Sequence, residues 1–197
     1  MTCSSRAVDG TCLRVPASRT ASICHARRAD GELTLTDRTP MAKVSVRSRA
    51  PQVLGVPFGR AARTGDGVLV VGAGPGEWLL LGPPGSARDL AGRVADIEEV
   101  TCVDLTHGRA LVRLRGARGA AVLAKLCGVD LGDEAVPDRA AFRTAVAALA
   151  TDIIRDDDAG IRSYLLHCER SSGQYLFDAL LEAGGEFGIE IDGFTAA

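Results

Sequence analysis

From Ala42 apolar and polar positions alternate, with Val44 and Val46 set against Ser45 and Arg47. This period of two predicts a half-exposed strand. A loop through SRAPQVLGVPFGRAARTGDG follows, and then VLVVGAGPGE, an apolar run that breaks into glycines. The next residues, WLLLGPPGSARDL, place Gly82, Pro83, Pro84 and Gly85 too close to Glu77 for a helix to start at the glycines. The run Trp78–Leu81 reads instead as a buried strand bounded by turn residues, so GAGPG joins two strands as a tight hairpin-like turn.

Beyond that turn a unit recurs, in which a strand feeds a short turn and an amphipathic helix. WLLLG leads to a helix from about Ser86, with capping-box-like spacing between Ser86 and Asp89. RALVRLRG leads to ARGAAVLAKLC, whose Val122, Leu123 and Leu126 share a face. SYLLHCERSS leads to GQYLFDALLEAG, whose pattern groups Tyr175, Leu176, Ala179 and Leu180. Further strands are expected over Glu99–Leu105 and over Phe142–Arg155, where the alanines also allow a helix but DDDAG suits a hairpin connection. The sum is an α+β domain with a largely antiparallel sheet and helices on one side. Residues 1–40, rich in Ser, Arg, Ala and Thr, read as an irregular arm with one short ordered segment, and 41–197 as the domain.

Composition narrows the picture. Hydrophobic residues make up 46% of the 197 but aromatics only 4%, so the core must rest on Leu, Val and Ala. A formal net charge of −2, with scattered arginines and no aromatic–basic platform, gives no support for nucleic-acid binding. No apolar run is long enough to cross a membrane, and MTCSSRAVDG lacks the apolar stretch of a secretory signal. The six cysteines, Cys3, Cys12, Cys24, Cys102, Cys127 and Cys168, form no C-x-x-C pair and lack zinc-ribbon spacing. Free thiols in a cytoplasmic protein are expected. Cys24 and His25 are neighbours, and on a strand they would face opposite ways.

The glycine run resembles the opening of a dinucleotide-binding fold, where Gly72 and Gly74 would approach a pyrophosphate. Glu77 stands where the third glycine belongs, and no helix follows. The expectation is that this chain binds neither FAD nor NAD, and that Gly74 is sensitive to substitution if the turn needs a positive φ there.

The order of VGAGPGEWLLLG, VDLTHGRALVRLRGARGAAVLAKLCGVDL, FRTAVAALATDIIR and YLLHCERSSGQYLFDALLEAG resembles the gamma subunits of heterotetrameric sarcosine oxidases, from about Met41 to Ile191. That family is similar to the folate-binding aminomethyltransferases, which implies a related fold. HCERS departs from the Asn that follows the equivalent strand in those enzymes, and the chain has no room for their carboxy-terminal barrel. The resemblance implies an accessory subunit of a complex that oxidatively demethylates sarcosine. Its larger partner subunits would hold FAD, FMN and NAD, and tetrahydrofolate would capture the one-carbon unit. The alternative it leaves open is a stand-alone tetrahydrofolate-binding one-carbon protein.

No catalytic, cofactor or metal residue is assigned. The candidates for a cleft or interface are Trp78, Asp104, His107, Arg109, Arg113 and Arg115. His107 reads as a turn residue or as a binding histidine that Asp104 orients. Arg109, Arg113 and Arg115 alternate on one strand face, as at an exposed or partner-facing edge. Trp78 is core or subunit interface. Asp156, Asp157 and Asp158 lack the ligand spacing of a calcium loop and read as a polar hairpin tip. Ser171 and Ser172 read as helix caps.

Overall fold

The computed structural model describes residues 33–50 and 53–192. Cys3, Cys12, Cys24 and His25 therefore lie outside the described residues. Eleven strands and three helices alternate along the described chain. They are β1 (Thr34–Asp37), β2 (Met41–Ser48), β3 (Ala61–Arg63), β4 (Leu69–Gly74), β5 (Glu77–Pro84), α1 (Ala87–Gly92), β6 (Val100–Asp104), β7 (Arg109–Arg115) and α2 (Gly119–Ala124). After these come β8 (Ala141–Val146), β9 (Leu149–Arg155), β10 (Ser163–Glu169), α3 (Gly173–Gly184) and β11 (Glu190–Asp192).

The strands form two sheets rather than one. A six-stranded sheet runs β11-β1-β7-β10-β9-β8, and a five-stranded sheet runs β3-β4-β5-β2-β6. Every pairing is antiparallel except β1 with β11. The α+β class and the antiparallel character stand as expected from the periodicity. β1, buried at all four positions, lies within the stretch read as an arm and inserts between β7 and β11. β3 lies within the stretch read as a loop.

Three apolar clusters show how the layers stack. Leu69, Val71, Leu79 and Leu81 of one sheet meet Leu111, Ala141, Ile154 and Leu165 of the other, so the sheets pack face to face. Leu176, Phe177 and Leu180 of α3, with Val122 and Leu123 of α2, cover the outer face of the six-stranded sheet through Val112, Leu114 and Leu166. Leu90 of α1 covers the outer face of the other sheet against Val44, Val46 and Leu80. The helices thus lie on both outer faces, not on one side. The reason is that both sheets are apolar on two faces, and each exposed apolar face needs a cover.

Local readings are sharpened in several places. The segment 142–155 is a hairpin of two strands turning at Ala147 and Ala148, which have φ of +48° and +65°. Its unbroken run of small apolar residues hid the turn, because no Gly or Asn marked it. On α3 the buried aromatic is Phe177, while Tyr175 is 56% exposed. Ser86 makes no capping bond; its hydroxyl donates to the carbonyl of Pro83 at 2.8 Å. Ser171 and Ser172 lie in a single tight turn before α3, and the Ser172 side chain does not cap it.

The glycine turn joins β4 to β5, as the prolines after it require. Its demanding positions are Gly72 and Gly76, not Gly74. Gly76 has φ +69°, and a Cβ there would meet the Ser48 carbonyl at 2.3 Å. A Cβ on Gly72 would fall 2.1 Å from the Pro57 carbonyl. Gly74 has no positive φ, and its Cβ would make only ordinary contact with the Glu77 side chain, at 3.5 Å.

Candidate functional site

Three strands of the six-stranded sheet place Arg143 (β8), Asp152 (β9) and His167 (β10) side by side in one register row. Because side chains alternate along a strand, this row shares the face of Ala141, Ile154 and Leu165, which looks toward the other sheet. Arg143 grips Asp152 with two hydrogen bonds, Nε to Oδ1 at 2.6 Å and Nη2 to Oδ2 at 3.0 Å. His167 Nδ1 lies 3.0 Å from Asp152 Oδ2 on the opposite side.

Burial decides the charge states. Desolvation alone would raise the Asp152 carboxyl, but the bonds from His167 and Arg143 outweigh it and hold the group down at about 2. Burial pushes the His167 imidazole below its ordinary value, against the pull of Asp152. At neutral pH the row is therefore a carboxylate with a neutral imidazole. The His167 ring is 3% exposed, and its Nε2 is buried without a hydrogen-bond partner among the described residues.

Asp152 and Arg143 open onto a cleft of about 300 Å³ between the sheets, whose other walls include Phe58, Gly72, Ala73 and Phe142. Phe58 stands 66% exposed at its mouth. An ionised carboxylate in an apolar slot is an acceptor for a ligand's N–H or for a partner's donor. It is not a nucleophile–base pair. No cluster of His, Cys, Asp or Glu among the described residues has the arrangement of a metal site.

The sequence reading missed this row. One signal was available: His167 interrupts the apolar run of β10, and Asp152 interrupts that of β9, at the positions where the two strands pair. Only the register aligns them, and register is a tertiary fact.

The residues singled out from the sequence do not converge. Trp78 is core: it is 2% exposed and donates its indole N–H to the Val56 carbonyl at 2.8 Å. His107 is exposed in the turn between β6 and β7. Asp104 accepts the backbone N–H of Thr106 at 2.8 Å, so its carboxylate shapes that turn. The Thr106 bond holds the Asp104 carboxyl below its ordinary value.

Arg109, Arg113 and Arg115 do share a face, but β7 lies inside the sheet between β1 and β10 and offers no edge. Arg109 pairs with Glu169 at 2.7 Å and Arg115 with Asp158 at 3.1 Å. Arg113, with its side chain only 12% exposed, reaches Asp156. Asp156 is no solvated hairpin tip. It is 1% exposed and also accepts from Arg63 of the other sheet at 2.5 Å and from Arg139. The hairpin connection around it was expected; the buried hub was not.

The backbone of Gly72 is already engaged. Its N–H donates to the Arg60 carbonyl at 2.8 Å, and its carbonyl accepts from Gly59 at 3.1 Å. The chain's own segment 57–60 fills the place a phosphate would need, and a strand follows where a helix would be required.

With this geometry in view, the likenesses to known proteins fall into place. The sarcosine oxidase subunit gamma of Corynebacterium sp. (strain P-1) is 29% identical over 142 residues, covering 71% of this chain and 66% of that protein. The chain thus spans about two thirds of that relative's length. Among solved structures, the heterotetrameric sarcosine oxidase of Corynebacterium sp. U-96 in complex with pyrrole 2-carboxylate superposes with a TM-score of 0.68 at 22% identity, over 81% of this chain and 87% of the matched one. The glycine cleavage system aminomethyltransferase T of Bartonella henselae superposes with a TM-score of 0.64 at 20% identity, over 82% of this chain and 48% of that one. The resemblance to sarcosine oxidase gamma subunits read from the sequence is met by these relatives, and the shared fold is that of the aminomethyltransferase. The GCVT N-terminal domain model matches residues 64–197, well over half the chain. By that match, the chain belongs to the GCVT N-terminal domain family.

Proposed function

We propose that this chain is an accessory subunit of a sarcosine oxidase complex and contributes assembly surface rather than catalysis. The observation that supports it most is the 29% identity with a sarcosine oxidase subunit gamma, extending over 71% of the chain. The complex would convert sarcosine, oxygen and tetrahydrofolate to glycine, hydrogen peroxide and methylenetetrahydrofolate. Its larger subunits would carry FAD, FMN and NAD and make the oxidative step. The glycine turn of this chain does not fit a dinucleotide, because Gly72 spends its amide on Arg60 and β5 follows. A cytoplasmic location accords with this role.

Co-expression of the tagged full chain with the larger subunits tests the reading. The expected result is recovery of a flavin-coloured complex. His107→Ala should leave that complex with most of its turnover, since His107 is exposed in a turn. Abolished turnover with assembly intact would assign part of the active site to this chain.

A second reading, a tetrahydrofolate-binding protein acting alone, draws on the inter-sheet cleft. A pterin ring offers N–H donors and a flat apolar face, and Asp152 in the same cleft as Phe58 suits both. Titration of the isolated chain with tetrahydrofolate separates the two readings: tight binding favours the second, and its absence the first.

A further inference from the structure

We propose that the free edge of β8 is a docking strand, on which an extended segment of a larger partner subunit adds to the six-stranded sheet. The inference rests on the accessory-subunit reading and names the face that reading leaves open. β8 is the last strand of its sheet. The segment 57–60 begins to extend the sheet beyond it, with Arg60 bridging Ala140 antiparallel and Ala141 donating its N–H to Gly59 at 2.9 Å. There the pairing stops. Backbone groups of alternate residues point the same way, so Arg143 and Ala145 turn theirs outward as Ala141 does. Among the described residues no backbone group meets them.

Both faces beside this edge are hollowed. On the inter-sheet side is the cleft of about 300 Å³ under Phe58. On the helix side is a second hollow of about 530 Å³, walled by Val129, Val136 and Pro137 and rimmed by two carboxylates, Asp130 and Glu134, and one cation, Arg60. The two meet at Ala141 and Phe142. A strand laid along β8 sends alternate side chains to opposite faces, so one set enters the apolar cleft and the other faces the two carboxylates. Neither Asp130 nor Glu134 has an ion-pair partner among the described residues, and both are exposed. Charge complementarity therefore selects an occupant that is apolar on one side and basic on the other. β6, an edge of the five-stranded sheet, lacks this combination: it borders a hollow lined mainly by polar and charged residues, among them Arg47, Arg49, Glu77 and Glu99.

The test uses the full chain co-expressed with the larger subunits of its complex. Ala145→Pro removes an outward amide that the β8–β9 ladder does not use, so it should block strand addition and leave the chain folded. Asp130→Lys with Glu134→Lys alters only exposed side chains and probes the basic side. The expected result is capture of the partner weakened by about tenfold or more for each variant, with the isolated chains melting as the parent does. Hydrogen exchange at Arg143 and Ala145 should slow on assembly in the parent complex. If Ala145→Pro fails to fold, the lysine variant and the exchange measurement still decide. Parent-like capture by the folded variants, or unprotected amides in the complex, overturns the proposal. A parent chain that captures no larger subunit removes the accessory reading and this inference together; a parent that captures it, with variants alike, removes only this inference.

Discussion

Asp156 accepts a 2.6 Å hydrogen bond from Arg113, and the pair spans from the loop after β9 to the middle of the same sheet with the carboxylate 1% exposed. Arg63 adds a bond from the facing sheet, so this one carboxylate ties the two sheets together at a point where their apolar contact ends. Burial, with Arg63 nearby, lowers the Arg113 guanidinium to about 10.

Removing the hub should be costly. Asp156→Ala leaves three guanidinium groups without their shared counter-charge, and the expected loss is about 3–5 kcal/mol. Urea unfolding followed by fluorescence of Trp78 reads it directly. Arg113→Glu should likewise destabilise the isolated chain.

Acid should unfold the protein in two stages. The unfolded His167 takes a proton near 6.5, whereas the folded ring resists it, so the unfolded state binds more protons and stability falls as pH drops below that value. Asp152 contributes stability that is full above its unfolded value of 3.8 and is lost as pH falls through about 2. Denaturation midpoints measured from pH 8 to pH 3 should show the first decline, and His167→Gln should remove it.

Lys43 predicts a slope of the same sign in alkali. Its side chain is wholly buried, with Nζ donating to the carbonyls of Thr39 at 2.7 Å and Met41 at 2.8 Å. Burial, with Arg170 nearby, lowers it to about 8. The unfolded lysine holds its proton to 10.5, so between these values the unfolded state binds more protons and stability rises with pH. Lys43→Met should flatten that rise when the midpoint series is extended from pH 8 up to 10.5.

The glycine turn yields a graded set. Gly72→Ala drives a methyl into the Pro57 carbonyl, and Gly76→Ala combines a clash at Ser48 with a left-handed backbone. Both should lower the melting temperature markedly. Gly74→Ala meets only a flexible Glu77 and should melt within a few degrees of the parent.

The strands that carry a clear period were legible from sequence. Met41–Ser48, Trp78–Leu81, Arg109–Arg115 and Ser163–Glu169 lie where their apolar residues place them. So does the rejection of a helix after Gly76, which rests on covalent limits of proline. What stayed hidden depends on pairing. Lys43 sits in an alternating strand whose polar side was expected to face water, yet a second sheet covers it. The three aspartates look alike in sequence, and only the convergence of Arg63, Arg113 and Arg139 makes Asp156 a hub. The Arg143–Asp152–His167 row joins residues from three strands, and no spacing along the chain announces it.

The turn at Ala147 and Ala148 has a consequence for the order of folding. Two alanines in left-handed conformation cost about 1–2 kcal/mol each, so this hairpin cannot be started from its own bend. The expected order is that β9 pairs with β10 first and that β8 then closes from Phe142 and Ile153, where the pair reaches the apolar core. On that order the strand at the open edge is the last recruited, and an occupant of the edge would fix in place what its own turn favours least.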